Sequence, residues 1–387
     1  MTRGLGGSRG RARLGFACAW TADPRATWSG TPWALRESLR RVPDGPEIVD
    51  VGVAPPRSLR TGLNAISARR HRGRWVAGWR EWSGWRRAAE RRIAARVADE
   101  RCDATLEIAD LAVVDRPYFL YQDLAAALIA RDDLRAAREE YFPMLTGRRR
   151  LAAKLEWQRR IYAGAAGVFA MSRWLADFLV EHEGLPRDAV HVVPPGATSL
   201  SSAGPVPDRE PGRPRRRLLF LGSDFRIKGG DQVVAALAVL RRDFDPSTTL
   251  TVAGPRSWPL PVPPPDGVDF LGPVPRDRVV PLIDAHDLLV MPSRLEGFGI
   301  ALVEALGRGV PCVGRRAFAM PEIIDDTRTG ALIGGDDPSE LAEAAARVLA
   351  DDRIYATTRE RAGEVAAYYT WDRAAADMVR VIEGRLR

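Results

Sequence analysis

Lysine is almost absent from this 387-residue chain. Lys154 and Lys228 are the only two lysines among 58 basic residues, and arginine supplies all the others. Such a bias indicates a GC-rich genome. A lysine that persists against it is a candidate for a role that the larger, planar guanidinium cannot fill.

Cysteine and histidine are also scarce. The three cysteines, Cys18, Cys102 and Cys312, are far apart, and the four histidines are isolated from them and from one another. This spacing excludes a disulfide framework and a zinc site of cysteine and histidine. The acidic pairs at 132–133 and 325–326 are typical of turns or helix surfaces, so we expect no metal cofactor.

Long apolar runs are missing as well. No run approaches the roughly 18 residues that a membrane-spanning helix needs. The apolar segment at 14–20 follows a basic start, as in a signal peptide, but it is short and is ended abruptly by Asp23-Pro24. We interpret it as a first strand and expect a cytoplasmic protein.

What the chain has in excess is local positive charge. The net charge is +8, and residues 55–101 hold 13 arginines against 4 acids, a surplus of nine. Trp75, Trp79, Trp82 and Trp85 follow one another at spacings of 4, 3 and 3, which predicts one face of a helix. That face could pack on the sheet, lie on an anionic membrane or hold an anionic acceptor. Nucleic acid is excluded as a partner because no nucleic-acid motif accompanies the charge.

Short apolar strands alternate with helical segments along most of the chain. Strands are predicted at 14–20, 48–53, 103–108, 118–121, 167–171 and 191–193, and then at 217–221, 249–253, 268–271, 287–291 and 310–313. This alternation predicts parallel sheets with helices on both faces. Residues 199–216 are rich in Pro, Gly and Ser and are interpreted as a linker. The predicted organisation is therefore a disordered tail at 1–11, domains at 12–198 and 217–370, and a last helix at 371–387.

The stretch 287–314 is the most informative one. A buried strand leads into a loop with Gly297 and Gly299, then a helix and a second strand. Glycines let a ligand approach the backbone, and the start of a helix favours an anion. Glu296 and Glu304, eight residues apart, would repel phosphate but can accept hydrogen bonds from sugar hydroxyls. A site that holds both phosphate and hydroxyls indicates a nucleotide sugar.

A second informative stretch covers 218–231. A strand ends at Gly222, and the loop after it carries Ser223, Arg226 and Lys228 before a helix begins near residue 229. Two cations beside the start of a helix can neutralise a pyrophosphate and stabilise a departing nucleoside diphosphate.

Together these stretches resemble the donor site of retaining GT-B glycosyltransferases of the family-4 type. In that family two glutamates eight apart flank Gly-Phe-Gly and precede a Gly-x-Pro turn, which stands here at 309–311. The family usually has an arginine directly after the glycine where this chain has Ser223. Lys228 matches the family's lysine, and Arg226 is the candidate for the missing cation. The resemblance is strongest over 190–375 and weak over 1–110.

The resemblance assigns expected roles to further residues of the second domain. Ser293 would offer a hydroxyl to phosphate, and Glu304 would hold the ribose, while Glu296 lies nearer the transferred sugar. Gly297, Phe298 and Gly299 would line the donor pocket. The segment around Val274 would hold the nucleobase through backbone groups.

In the first domain the expected roles are less distinct. Gly30 lies in a turn that would approach the donor phosphates, although the same residues could simply begin a helix. Asp123 follows a strand and would orient or deprotonate the acceptor hydroxyl, but it could equally cap a helix.

The resemblance implies an α/β protein of the GT-B fold, with two doubly wound Rossmann-like domains facing each other across a cleft and a C-terminal helix crossing back to the first. The implied activity is metal-independent, retaining transfer of a sugar from a nucleotide-diphosphate sugar to a saccharide, lipid-linked or small-molecule acceptor. One alternative is a catalytically silent scaffold at the inner face of an anionic membrane or on a partner. The other alternative is a sugar-nucleotide epimerase.

Overall fold

The computed structural model describes residues 11–71, 74–208 and 212–386. Residues 1–10 of the predicted tail, residues 209–211 of the predicted linker and residue 387 lie outside these ranges. Among the helices of the described residues, none is both long and apolar enough to span a bilayer.

The first half of the chain builds a six-stranded parallel sheet in the order β2-β1-β5-β6-β7-β8. The strands up to residue 192 are β1 (Arg13–Ala17), β2 (Glu47–Asp50), β3 (Ala68–His71), β4 (Arg74–Ala77), β5 (Ala104–Ile108), β6 (Tyr118–Gln122), β7 (Gly167–Ala170) and β8 (Val190–Val192). The helices are α1 (Thr31–Arg41), α2 (Arg57–Ser67), α3 (Ser83–Asp99), α4 (Ala126–Ile129), α5 (Arg135–Tyr141), α6 (Arg148–Gly164) and α7 (Arg173–Glu181). The central strands β5, β6 and β7 are buried along their whole length, because helices cover both faces of a parallel sheet.

The predicted helical face of four tryptophans is wrong. Trp75 lies on β4, which pairs with β3 in an antiparallel hairpin, while Trp79 begins a single 3-10 turn and Trp82 precedes α3. Gly78 lies between β4 and this turn, and Met144 occupies the space that a side chain there would need. Trp79 is only 3% exposed and meets Trp85 edge to face at 4.7 Å, whereas Trp75 is 74% exposed. The core interpretation therefore holds for Trp79 but not for Trp75.

The second half of the chain repeats the architecture, with a sheet ordered β11-β10-β9-β12-β13-β14. Its strands are β9 (Arg217–Leu221), β10 (Thr249–Ala253), β11 (Val268–Gly272), β12 (Leu288–Val290), β13 (Cys312–Arg315) and β14 (Gly330–Ile333). Its helices are α8 (Gly230–Asp243), α9 (Val279–Asp284), α10 (Ile300–Leu306), α11 (Met320–Ile323), α12 (Pro338–Ala350), α13 (Asp352–Tyr368) and α14 (Trp371–Leu386). All five pairings in this sheet are parallel. The sequence analysis had not predicted β14.

The helix α14 crosses back onto the first domain, as expected. Arg41 of α1 pairs with Asp372 at 2.6 Å, and Arg385 at the far end pairs with Asp188 at 3.1 Å. The apolar face of α14 belongs to a buried cluster that also contains residues of both sheets. Separate apolar clusters cover the outer faces of the two sheets.

A second contact joins the domains through α7. The carboxylate of Glu322 accepts hydrogen bonds from the backbone N–H groups of Arg173 (2.9 Å) and Trp174 (2.6 Å). These N–H groups are among those that a helix leaves unpaired in its first turn. The Trp174 ring also meets Phe318 edge to face at 5.3 Å. A residue of the second domain therefore caps a helix of the first.

Candidate active site in the interdomain cavity

The strand order of each sheet reverses at one point. In the second sheet the reversal lies between β9 and β12, and in the first it lies between β1 and β5. Crevices at such points, beyond the carboxyl ends of the strands, are where open α/β sheets bind ligands. The loops that follow these four strands meet at one cavity between the domains.

This cavity has a volume of about 560 Å³ and takes its walls from both domains. Several predicted site residues line it: Asp123, Lys228, Glu296, Gly297, Phe298 and Gly299. The structure thus brings one predicted residue of the first domain together with five of the second.

Lys228 and Glu296 form the charged centre of the second-domain wall. The Lys228 ammonium lies 2.8 Å from both carboxylate oxygens of Glu296, and the Ser293 hydroxyl donates to Oε2 of Glu296 at 3.1 Å. Lys228 comes from the loop after β9 and Glu296 from the loop after β12. Because an ammonium has three N–H donors, the pair leaves Lys228 able to bind a further oxygen.

Asp123 faces this pair from the first domain. Its carboxylate occupies the space where a side chain at position 297 would stand, so only glycine permits this approach. Burial raises the pKa of Asp123, the negative charge of Glu296 raises it further, and Lys228 acts in the opposite direction. A carboxyl group with a raised pKa holds a proton more readily than an ordinary aspartate.

The turn before α1 brings the first domain to the same cavity. Trp28, Ser29 and Gly30 have φ angles of 45°, 53° and 82°, three successive residues in the left-handed region. Such a conformation is costly for the two residues that carry a side chain, and it is often found at functional sites. Trp28 and Ser29 line the cavity, and the guanidinium of Arg276 packs against Gly30 in space that no side chain could share.

Two of the predicted phosphate ligands lie elsewhere. Arg226 is exposed and lines a separate interdomain pocket of about 430 Å³, together with Tyr141. Ser223 is also exposed, and its hydroxyl hydrogen-bonds Asp224 at 3.1 Å. Gly222 lies against Lys228, because a side chain at position 222 would press on the aliphatic part of that lysine.

Glu304 is separated from Glu296 despite their short spacing in sequence. Its Oε1 accepts a hydrogen bond from the Ser199 hydroxyl at 2.5 Å. Burial raises its pKa, and this hydrogen bond and the nearby Arg276 act in the opposite direction. Val274 follows β11, is partly buried and does not line the main cavity.

The structure also places further charged residues at the cavity. Lys154 donates to both oxygens of Asp110, at 2.9 and 2.7 Å, and both residues line the first-domain wall with Arg80. The scarcity of lysine had marked Lys154 together with Lys228, and both lysines lie in ion pairs at this one cavity. Asp110 and Arg80 carried no comparable signal in the sequence. Over the described ranges, no group of three or more His, Cys, Asp or Glu side chains is placed to hold a metal ion.

Comparisons with known proteins reveal similar sequences and similar folds. Residues 208–367 match the family model described as "Glycosyl transferases group 1". Over 246 residues the chain is 31% identical to a D-inositol 3-phosphate glycosyltransferase of Paenarthrobacter aurescens (strain TC1), covering 57% of this chain and 58% of that protein. The chain thus spans somewhat more than half the length of this curated relative.

Solved structures extend the likeness to nearly the whole chain. Sucrose-phosphate synthase from Thermosynechococcus elongatus has a TM-score of 0.70 at 17% identity, covering 97% of this chain and 99% of that one. The Anabaena protein HepE, solved with UDP and glucose, has a TM-score of 0.61 at 14% identity, covering 96% and 100%. At this identity the likeness concerns the fold, and it confirms the predicted GT-B architecture.

Proposed function

We propose that this chain, whose residues 208–367 match the family model described as "Glycosyl transferases group 1", is a glycosyltransferase. The chain moves a sugar from a nucleotide-diphosphate sugar to an acceptor hydroxyl in the interdomain cavity, with retention of the anomeric configuration. The observation that carries this proposal is the placement of Lys228 and Glu296, which face Asp123 across that cavity.

Lys228 is the group that stabilises the leaving nucleoside diphosphate. Negative charge grows on the β-phosphate as its bond to the sugar breaks. A fixed ammonium in a partly buried site stabilises that charge strongly. Glu296 holds the ammonium in place before the donor arrives. Lys228, and no metal ion, supplies the neutralising charge in this proposal.

Glu296 and Asp123 act on the sugars. Glu296 accepts a hydrogen bond from a hydroxyl of the transferred sugar, at a carboxylate whose position is fixed by Lys228 and Ser293. Asp123 accepts a hydrogen bond from the acceptor hydroxyl on the opposite wall. Retention by front-face transfer depends on stabilising the leaving group more than on a strong base, so a single carboxylate that orients the acceptor hydroxyl is sufficient.

The nucleoside extends from the cavity towards Glu304. That carboxylate holds the ribose hydroxyls in place of, or together with, the Ser199 hydroxyl that it binds here. Backbone groups near Val274 hold the base, and Arg226 and Ser223 reach the phosphates only through movement of their loop. HepE was solved with UDP-glucose, so UDP-sugars are the first donors to examine.

Release of nucleoside diphosphate from a panel of nucleotide sugars, with and without sugar and cyclitol acceptors, tests the proposal. We expect acceptor-dependent release with at least one donor, and loss of release in Lys228→Ala. Conversion of the donor without any acceptor would instead indicate an epimerase. Absence of turnover with all donors, despite nucleotide binding, would indicate a catalytically silent protein.

A peripheral contact with an anionic membrane is a second proposal, supported by the surface of α2 and β4. Leu59, Ile66 and Trp75 are 50%, 71% and 74% exposed, and arginines at 69 and 70 on the hairpin are exposed as well. Exposed apolar side chains among arginines are the combination that anionic bilayers bind.

Co-sedimentation with vesicles of phosphatidylglycerol and phosphatidylcholine tests this contact. We expect binding that weakens at high salt and is lost when Ile66 and Trp75 are both replaced by serine. The control is Phe244→Ser, which removes a 51% exposed aromatic from the second domain. Equal binding by both variants, or no binding by the unmodified chain, would contradict the proposal.

A further inference from the structure

Arg80 is a partly buried cation whose guanidinium lies 5.2 Å from the ring centroid of Trp79. Its guanidinium lines the interdomain cavity and also a smaller adjoining pocket of about 180 Å³. Among the described residues, no carboxylate or carbonyl accepts a hydrogen bond from this guanidinium. The adjacent Glu81 is engaged with Arg86, at 2.5 Å. Burial lowers the pKa of Arg80, so the pocket holds a positive charge that is costly to desolvate.

Structural arginines in this chain behave differently. Arg138 is buried and donates to the carbonyl of Ile129 at 2.8 Å and to that of Arg131 at 3.2 Å. Such bonds compensate for the loss of water around the guanidinium. Over the described ranges Arg80 has no such hydrogen bond and packs over the Trp79 ring, which points to an anion as a further partner.

A second cation lies beside it. Lys154 lines the same two pockets, and its ammonium binds Asp110 at 2.7 and 2.9 Å, with one N–H donor to spare. Asp110 follows β5, one of the two strands at which the first sheet reverses its order. The two cations therefore lie in the half of the cavity expected to receive the acceptor, opposite Lys228 and Glu296.

We propose that Arg80 and Lys154 form an acceptor subsite that binds a phosphate ester. One fork-shaped guanidinium and one ammonium match a group with two negative charges and several oxygens, whereas Arg80 alone would satisfy a carboxylate. The inference deepens the proposed function, because the phosphate would place an acceptor hydroxyl near Asp123. It selects phosphorylated acceptors over their neutral counterparts.

Inorganic phosphate is the probe, measured by the rise in melting temperature at constant ionic strength. The chains compared are the unmodified protein, Arg80→Gln, Arg87→Gln and Lys228→Ala. Arg87 is the matched control, since it is exposed, lies seven residues from Arg80 and lines neither pocket. We expect phosphate to bind roughly tenfold or more weakly in Arg80→Gln and unchanged in Arg87→Gln. Binding that survives in Arg80→Gln but is lost in Lys228→Ala would assign the phosphate to the donor side and overturn the proposal.

Melting without phosphate separates a ligand role from a structural one. Because no described carboxylate or carbonyl accepts a hydrogen bond from Arg80, Arg80→Gln should leave the phosphate-free melting temperature nearly unchanged, and Arg80→Lys should restore part of the phosphate response. A large fall in Arg80→Gln, independent of phosphate, would show that Arg80 is structural and would overturn the proposal.

The same variants distinguish two sources of phosphate. Inositol 3-phosphate against inositol tests a soluble acceptor, and vesicles of phosphatidylinositol in phosphatidylcholine test a lipid headgroup. Sensitivity to Arg80→Gln in either series supports the subsite and names its source, whereas insensitivity in both refutes it. Failure of the proposed function would be seen separately, as absence of nucleotide binding while phosphate still binds through Arg80.

Discussion

Lys228 should contribute both to the stability of the fold and to turnover. Variants that break its ion pair with Glu296 in steps separate these two contributions. The side chains of Lys228 and Glu296 are 20% and 7% exposed, so the pair lies between a surface pair, worth under about 1 kcal/mol, and a buried one, whose rupture costs about 3–5 kcal/mol. We expect Lys228→Met to lower the free energy of unfolding by about 2–3 kcal/mol, mainly because Glu296 loses its compensating charge.

The double variant Lys228→Met/Glu296→Gln then gives a change of sign. Glu296→Gln should destabilise the unmodified chain, because the pair is lost, but should stabilise the Lys228→Met chain, because an unpaired carboxylate is removed. Urea unfolding of all four chains measures this coupling, with unfolding slopes compared so that a second transition is recognised.

Turnover should not follow stability. The double variant recovers stability, yet its kcat should remain about 100- to 1000-fold below that of the unmodified chain, since no cation faces the leaving phosphate. Arg308→Met is the control, because it breaks the 2.8 Å pair with Asp284 outside the cavity and should lower stability with kcat retained. If the two substitutions change stability additively, Lys228 and Glu296 are not coupled as an ion pair. If the double variant recovers turnover together with stability, Lys228 does not stabilise the leaving phosphate.

Three further predictions concern carboxylates. Glu304→Gln should weaken binding of free nucleoside diphosphate about tenfold in calorimetry, whereas Glu296→Gln should bind it almost normally and lose kcat; equal losses of affinity would contradict the separate roles. Glu322→Ala removes the cap on α7, so small-angle scattering should give a larger radius of gyration; an unchanged radius would show that the other domain contacts suffice. Burial raises the pKa of Glu107 to about 8 from 4.5, so the folded state retains a proton that the unfolded chain releases, and stability should fall as pH rises from about 5 to 8. Glu107→Gln should remove that fall in urea unfolding, and an identical pH profile in both chains would contradict the account.

Local sequence patterns were sufficient to predict features that depend on a single strand or loop. The strands β9 and β10 have the predicted bounds, 217–221 and 249–253, and each places buried apolar residues such as Leu218 and Leu250 in the sheet. The loop that carries Glu296, Gly297 and Gly299 was selected because its glycines and its charge lie close together along the chain. The short spacing between Glu296 and Lys228 in space, by contrast, follows from the adjacency of β9 and β12 in the sheet.

Features set by tertiary contacts were missed or misplaced. The tryptophan spacing of 4, 3 and 3 is compatible with a helix. Instead, Trp75 lies in the β3–β4 hairpin, and Gly78 after it packs against Met144. Arg226 was selected for its charge, yet the direction of its side chain depends on the loop path after β9. In the sequence Arg80 is one arginine among many, because its position at the cavity is a property of the fold.

Binding of nucleoside diphosphates is the most direct test of whether the interdomain cavity holds a nucleotide sugar at Lys228. Calorimetry with UDP, GDP, ADP and dTDP, on the unmodified chain and on Lys228→Ala, measures it without an acceptor. We expect at least one of these four nucleotides to bind, and we expect its affinity to fall tenfold or more in Lys228→Ala. If none binds, or if the bound nucleotide is indifferent to the loss of Lys228, the cavity is not a nucleotide-sugar site of the kind proposed.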